Sequence, residues 1–352
     1  MGVVDDRSAD LAAVEAARAG DAAAFAGLVE PHRGELRVHC YRMLGSFDEA
    51  EDLVQETFLL AWRGFAGFTA TGRWSVRAWL YRIATNACLN VLTRTPRRVL
   101  PAQLGPAGDP HLPLRPPVDH PWLQPFPDQM LPEIPSADAG PEATAVSRET
   151  IELAFLASIQ LLPPRQRAAL ILRDVLGWPA RDVAAAIEQS VASVNSALQR
   201  ARATLQEHLP QRRIEWGPVS EPTDEERQVL SRYMAAHENS DAAELARVLS
   251  ADVRGSMPPH VTWFEGRAAV LVASRKGFDP ASPQYTGRLR TVATRANGQP
   301  AAACYAWDEA AGEFRAFSLD VLRVIDGEIT EIVSFGPDRF PSFDLPVVAP
   351  DR

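Results

Sequence analysis

Hydrophobic and polar positions repeat with two different periods along this chain, and the change of period marks its organisation. Over residues 10–95 the apolar positions recur at helical spacing; Ala50, Leu53, Val54, Phe58, Ala61 and Phe65 form one stripe, as on a helix with a single buried face. The pattern then stops. Residues 96–141 hold 13 of the 29 prolines, and proline withholds the N–H that helices and ladders need, so a linker without regular structure is predicted. Helical periodicity resumes near residue 147 and runs to about 209. It predicts a helix at about 164–176, a Gly-Trp-Pro break, a short helix at 180–187, and a longer helix with Ser190 as its N-cap. After a second break at 217–222, two amphipathic helices are predicted at 224–238 and 241–249. The period then shortens towards two over 284–296, 300–307, 314–325 and 329–335, and Asp326-Gly327 joins the last two stretches as a hairpin turn. Helices followed by a strand meander imply an α+β domain. The chain therefore reads as multidomain: 1–95 helical, 96–145 linker, 146–213 helical, and 223–340 α+β.

Composition narrows the class. With 46% hydrophobic and 23% charged residues in 352, folded cores are expected. No apolar run reaches the ~18 residues of a membrane span, and the acidic N-terminus lacks the apolar segment of a secretion signal; a cytoplasmic protein with no membrane partner is expected. Cys40, Cys88 and Cys304 form no CxxC pair, and the histidines show no HxxxH or HExxH spacing, so no metal, cofactor or disulfide is predicted.

A net charge of −9 argues against a nucleic-acid partner until its distribution is read. The segments carry −2 (1–95), −3 (96–145), +3 (146–213) and −7 (214–352), and residues 57–108 contain seven arginines and no carboxylate. Such asymmetry leaves a polyanion-binding face on an acidic protein. On the predicted helix 48–65, Asp52, Gln55 and Glu56 lie opposite the apolar stripe, where they suit either a solvated surface or a partner. The sequence runs on into Phe65, Phe68, Trp74, Trp79 and Tyr81 interleaved with Arg73, Arg77 and Arg82. Aromatic faces for unstacked bases beside cations for phosphates are what single-stranded nucleic acid requires, although one of the two tryptophans also suits a core position.

Together, DEAEDLVQETFLLAW and WLYRIATNACLNVLTR resemble region 2 of bacterial sigma factors of the extracytoplasmic-function type. The family's D-x-x-Q-[ED]-x-F falls on Asp52, Gln55, Glu56 and Phe58, and its W-L-x-x-I-A-x-N on Trp79, Leu80, Ile83, Ala84 and Asn86. The resemblance implies that the first group binds core RNA polymerase. It also implies that a loop at about 66–76, with Asn86, captures a flipped base of the promoter −10 element, with Arg73, Trp74, Trp79 and Arg82 alongside. Asn90 stands where the family often has an acid. LLPPRQR and the tightly spaced helices after it resemble sigma region 4, a helix-turn-helix that reads the −35 element. On its last helix Val194, Leu198, Ala201 and Leu205 face inward. That leaves Asn195, Ser196, Gln199, Arg200 and Arg202 outward for base edges and phosphates. Asn195 and Ala197 replace basic residues common in the family, and Glu188-Gln189 replaces its usual turn glycine. Within the linker, HPWLQPFPD places Trp122, Leu123 and Phe126 as a candidate interdomain contact.

Residues 223–340 resemble the NTF2-like, or SnoaL-like, fold, a curved sheet and helices around a cavity. Ketosteroid isomerase has this fold and uses a carboxylate base with an oxyanion hole of a Tyr and a protonated Asp. Tyr233 and Asp320 match the oxyanion-hole positions, but the base position falls on Met257, whose thioether takes no proton from carbon. His237, Asp252 and Glu265 are not singled out by spacing. No catalytic residue is therefore predicted. Tyr233, Met257, Trp263, Phe264, Trp307, Phe317 and Asp320 are candidate pocket residues for a small-molecule ligand. The chain is read as a promoter-specific initiation factor whose C-terminal domain acts on it in cis. The alternatives are a SnoaL-like isomerase or cyclase fused to a DNA-tethering module, and a helix-turn-helix repressor.

Overall fold

Residues 3–68, 75–132, 151–208 and 222–350 are described by a computed structural model. Chain contacts divide it into two units, Met1–Arg97 with Leu131–Pro218 and Arg98–Met130 with Val219–Arg352. Each unit is discontinuous in sequence.

In the first unit α1 (Val3–Arg18), α2 (Ala22–Val29), α3 (Arg33–Leu44), α4 (Phe47–Gly64) and α5 (Val76–Leu92) precede α6 (Leu153–Gln160), α7 (Pro164–Leu170), α8 (Ala180–Ala186) and α9 (Val191–His208). Local chemistry sets the ends. Asp21, Ser46 and Ser75 accept hydrogen bonds from first-turn N–H groups of α2, α4 and α5. Gly45 closes α3 at φ 71°, a left-handed conformation that a Cβ disfavours. Residues 38–44 of α3 are all buried, because α4, α5, α6 and α7 all pack on this helix.

The two helical regions share a core through Arg167 of α7, which is 2% exposed. Its guanidinium donates to the carbonyls of Met43, Gln160 (2.9 Å) and Leu162 (3.2 Å) and to Gln160 Oε1. Burial lowers its pKa to about 10, so it stays charged at neutral pH. The helix expected at 164–176 is α only as far as Leu170; a π turn follows at Ile171–Val175.

The second unit contains α10 (Asp224–Glu238), α11 (Ala242–Val248), β1 (Leu249–Ser256), β2 (Trp263–Glu265), α12 (Arg267–Phe278), β3 (Leu289–Ala296), β4 (Gln299–Asp308), β5 (Glu313–Ile325) and β6 (Glu328–Phe335). The sheet order is β2-β1-β6-β5-β4-β3, antiparallel except for β1 beside β6. Asn297-Gly298 and Asp326-Gly327 turn the β3–β4 and β5–β6 hairpins, all four with positive φ. Register shifts in β1, β4–β5 and β5–β6 bend the sheet. Val229, Tyr233, Leu245, Val270, Leu322 and Ile332 fill the space between helices and sheet. This is the α+β NTF2-like cone. It runs past the expected end at 340: Phe340 and Phe343 are buried, and Ala316 and Ala349 N–H groups bond to Val347 and Phe314 carbonyls.

Among the described residues 98–130 of the proline-rich segment there is no element longer than a 3-10 turn, and this part is not a free spacer. Residues 98–130 pack on the second unit and are counted within it.

Candidate functional site

Three surfaces and one cavity hold the residues singled out above. On α4, Ser46 caps the N-terminus, Asp48 and Glu49 occupy the first turn and Arg63 the last, charges that suit the helix dipole. Ala50, Leu53, Val54 and Ala61 are buried, while Asp52, Gln55 and Glu56 are exposed together on the other side. Phe58 is not with them. It is 9% exposed, with the Arg33 guanidinium 4.8 Å above its ring, because it belongs to the buried stripe. The exposed face is completed instead by Leu59, Leu60 and Trp62, three apolar side chains at 58%, 39% and 37% exposure. Their positions, out of phase with the apolar stripe, mark them in the sequence as outward-facing.

An open groove between α4 and α5 is lined by Glu56, Leu60, Trp79, Arg82, Asn86 and Arg94, so it brings Glu56 together with three of the predicted DNA-contact residues. Trp79 is half-buried, with its ring 5.6 Å from Phe65 and 5.0 Å from Phe68. Arg73 and Trp74 lie outside the described residues. Asn86 is engaged: its Nδ2 donates to the Ala186 carbonyl at the end of α8 (3.2 Å). Arg82 lies 3.6 Å from Glu188, an exposed pair of little strength. Tyr81 packs on Trp178, with ring centroids 5.8 Å apart.

Ser190 caps α9 by accepting the Ser193 N–H (3.1 Å). Glu188, in the preceding turn, takes a left-handed φ of 55°, the conformation a glycine there would relieve. Val194, Leu198, Ala201 and Leu205 are buried, and Asn195, Ser196, Gln199 and Arg200 are exposed along one side. Arg202, also exposed, is held by both oxygens of Asp174 in the π turn (2.9 and 2.7 Å), so its guanidinium is already matched.

The linker motif splits into two behaviours. Leu123 (1% exposed) and Phe126 (0%) are buried in the second unit. The Phe126 N–H donates to Asn297 Oδ1 (2.8 Å), the Asn297 N–H donates to the Phe126 carbonyl (2.9 Å), and the Gly298 N–H donates to Asp128 Oδ1 (2.8 Å). The β3–β4 hairpin tip thus grips the segment. Trp122 is different: it is half-buried against His120 (5.3 Å) and donates to the Val118 carbonyl (3.3 Å), both within the linker.

The cone encloses a cavity of about 340 Å³ lined by Tyr233, Met257, Phe264 and Asp320 from the predicted set, together with His237 and Cys304. Phe317, the unpaired residue of the bulge on β5, also lines it and is 42% exposed. Two predicted residues lie elsewhere. Trp263 donates its Nε1 hydrogen to the Gly105 carbonyl (2.9 Å) beneath the linker, and Trp307 lies under the Arg288 guanidinium (4.5 Å) and packs edge to face with Phe314 (5.1 Å). The Tyr233 hydroxyl donates to Asp320 Oδ2 at 2.9 Å. Burial, reinforced by Asp320, holds the Tyr233 pKa well above its ordinary value. Met257 leaves the isomerase base position without a carboxylate, so the cavity lacks that chemistry.

Family models for sigma-70 region 2 and sigma-70 region 4 match residues 28–98 and 152–205. The chain is 41% identical over 331 residues to the ECF RNA polymerase sigma factor SigG of Mycobacterium tuberculosis (strain H37Rv), covering 94% of this chain and 85% of that protein. It is 27% identical over 197 residues to the ECF RNA polymerase sigma factor SigW of Bacillus subtilis (strain 168), covering 56% of this chain and 94% of the relative. Among solved structures, the Mycobacterium tuberculosis extracytoplasmic function sigma factor SigJ matches in fold over 90% of this chain and 97% of its own, with TM-score 0.56 and 20% identity. With both sigma regions matched and the SigG identity sustained over nearly its whole length, the chain belongs to the extracytoplasmic-function RNA polymerase sigma factors.

Proposed function

We propose that Asp52, Gln55 and Glu56 contact core polymerase, that Asn86 and the α9 face read two promoter elements, and that the C-terminal unit controls both in cis. As a sigma factor the chain binds core RNA polymerase and promoter DNA and directs initiation; it is not an enzyme. Among the described residues no helix is long and apolar enough to cross a membrane. A small molecule in the C-terminal cavity is the remaining element of the proposal.

The observation that carries regulation in cis is the burial of Phe126. Residues 98–130 of the segment joining region 2 to region 4 belong to the C-terminal unit, so that unit is placed to act on the arrangement of the two regions. Rearrangement is needed, because the Asn86 amide that would meet a base is bonded to the Ala186 carbonyl of region 4. A change of only ~1.4 kcal/mol between closed and open forms alters the active population up to tenfold. The test is run-off transcription and core-polymerase pull-down with Phe126→Ala in the full chain. Transcription should change several-fold with core binding retained; identical transcription across a range of salt would refute control through the linker.

A further inference from the structure

The cavity of the second unit has the size of a small ligand site, about 340 Å³ against the ~300–1,000 Å³ usual for such sites. Its walls are largely apolar, with Leu245, Met257, Phe264, Val270, Phe278 and Ile332 among them. The acidic side chain on its lining is Asp320, 5% exposed. The two carboxylate oxygens differ. Oδ2 accepts the Tyr233 hydroxyl (2.9 Å) and the Cys304 thiol (3.4 Å), whereas Oδ1, fully buried, has no partner among the described residues. A buried carboxylate oxygen without a donor is costly, and in native structures it marks a place where a partner is missing.

His237 adds a second acceptor. Its Nδ1 lies 2.9 Å from the Tyr233 carbonyl, which can only accept, so Nδ1 carries the hydrogen. Burial beside Tyr233 (4.2 Å) and Phe278 (5.4 Å) lowers its pKa and keeps the ring neutral, which leaves Nε2 a bare acceptor. With the Tyr233 and Cys304 hydrogens both spent on Oδ2, Asp320 and His237 offer acceptors only. Ser256, Ser318 and Ser334 hydroxyls also line the cavity and turn either way. An oxyanion hole is the reverse case, since there a Tyr and a protonated acid both donate to the ligand.

We propose that this cavity binds a small apolar molecule that presents a hydrogen-bond donor, either an alcohol whose one hydrogen goes to Asp320 Oδ1 or His237 Nε2, or an ammonium group that can serve both. The inference rests on the reading of the cavity as a ligand site, and it names the chemistry. The test is calorimetric titration of the full-length chain with four compounds of one shape: 2-naphthylmethanol, 2-naphthylmethylamine, 2-acetonaphthone and 2-methylnaphthalene. At least one of the first two should bind about tenfold more tightly than the ketone, the size of one charge-assisted hydrogen bond. A preference for the amine identifies a cationic ligand, and a preference for the alcohol a neutral one. Asp320→Asn, which adds a donor, should bring alcohol, amine and ketone within about threefold of each other. Met257→Trp fills the cavity and leaves Asp320 in place; it should abolish binding of all four, which guards against a poorly folded Asp320 variant. A ketone that binds as tightly as the donors would overturn the proposal, as would no saturable binding, or a preference that survives Asp320→Asn. None of these readouts depends on transcription. A failure of regulation in cis would leave the binding result standing, and the converse also holds.

Discussion

Replacing Asn297 by glycine tests one of the hydrogen bonds that tie the linker to the C-terminal unit. Asn297 sits at φ 58°, so glycine keeps the turn without strain and removes the side-chain acceptor. The orphaned Phe126 N–H belongs to a residue with no exposure, so water cannot replace Oδ1 while the segment stays docked. The expected loss is about 1–2 kcal/mol, a factor of roughly 5–30 in the docking equilibrium. Asn297→Asp retains an acceptor and tolerates the left-handed turn, so it should behave like the wild type. Hydrogen exchange followed by mass spectrometry on peptides from 98–130 should show faster exchange in the glycine variant alone, and run-off transcription should shift in the same order. Equal exchange in the glycine variant and the wild type would show that the Asn297 side chain does not hold the linker and would refute the expected loss.

Alanine at Asp52, Gln55 and Glu56 together should weaken core-polymerase binding in pull-downs while changing stability by only a few tenths of a kcal/mol, since all three are exposed. Arg200→Ala should cost about 1–3 kcal/mol and relax preference at one promoter position, whereas Asn86→Ala should impair opening and spare duplex binding; footprinting and permanganate reactivity separate the two. Glu188→Gly should raise thermal stability slightly, because relief of a left-handed φ outweighs loss of an exposed 3.6 Å ion pair; a clear fall in the melting temperature would contradict this. His39 is wholly buried, its Nε2 lies 2.8 Å from Thr85 Oγ1, whose own hydrogen goes to the Tyr81 carbonyl, and its Nδ1 has no partner among the described residues. Burial lowers its pKa from 6.5 to about 3. The unfolded chain therefore binds this proton first as pH falls, and stability should drop by about 1.6 kcal/mol between pH 6.5 and pH 5. Denaturant midpoints in that window measure it, and His39→Gln should flatten the slope.

The local pattern was enough for α4, α9 and the hairpins. An apolar stripe three and four residues apart leaves one outward face, so the exposure of Asp52, Gln55 and Glu56, and of Asn195, Ser196, Gln199 and Arg200, followed from spacing alone. Ser190 and Asp326-Gly327 act within a turn's length, and both did what their chemistry dictates. Other features depend on partners far along the chain. β1 carries Asp252 and Arg254 and a Gly, and β2 is only three residues long, so neither shows a clean alternation; pairing with β6 and with each other makes them strands. Phe58 and the exposed Leu59, Leu60 and Trp62 are separated by which helices cover α4. Arg202 was outward, as spacing required, but the π turn that supplies Asp174 left no periodic mark. The proline-rich segment has no period at all, and Phe126 finds its acceptor 171 residues away. Periodicity reports what a residue's neighbours in sequence allow, whereas burial, a shared hydrogen bond and the acceptor-only cavity arise only when distant segments meet and exclude water.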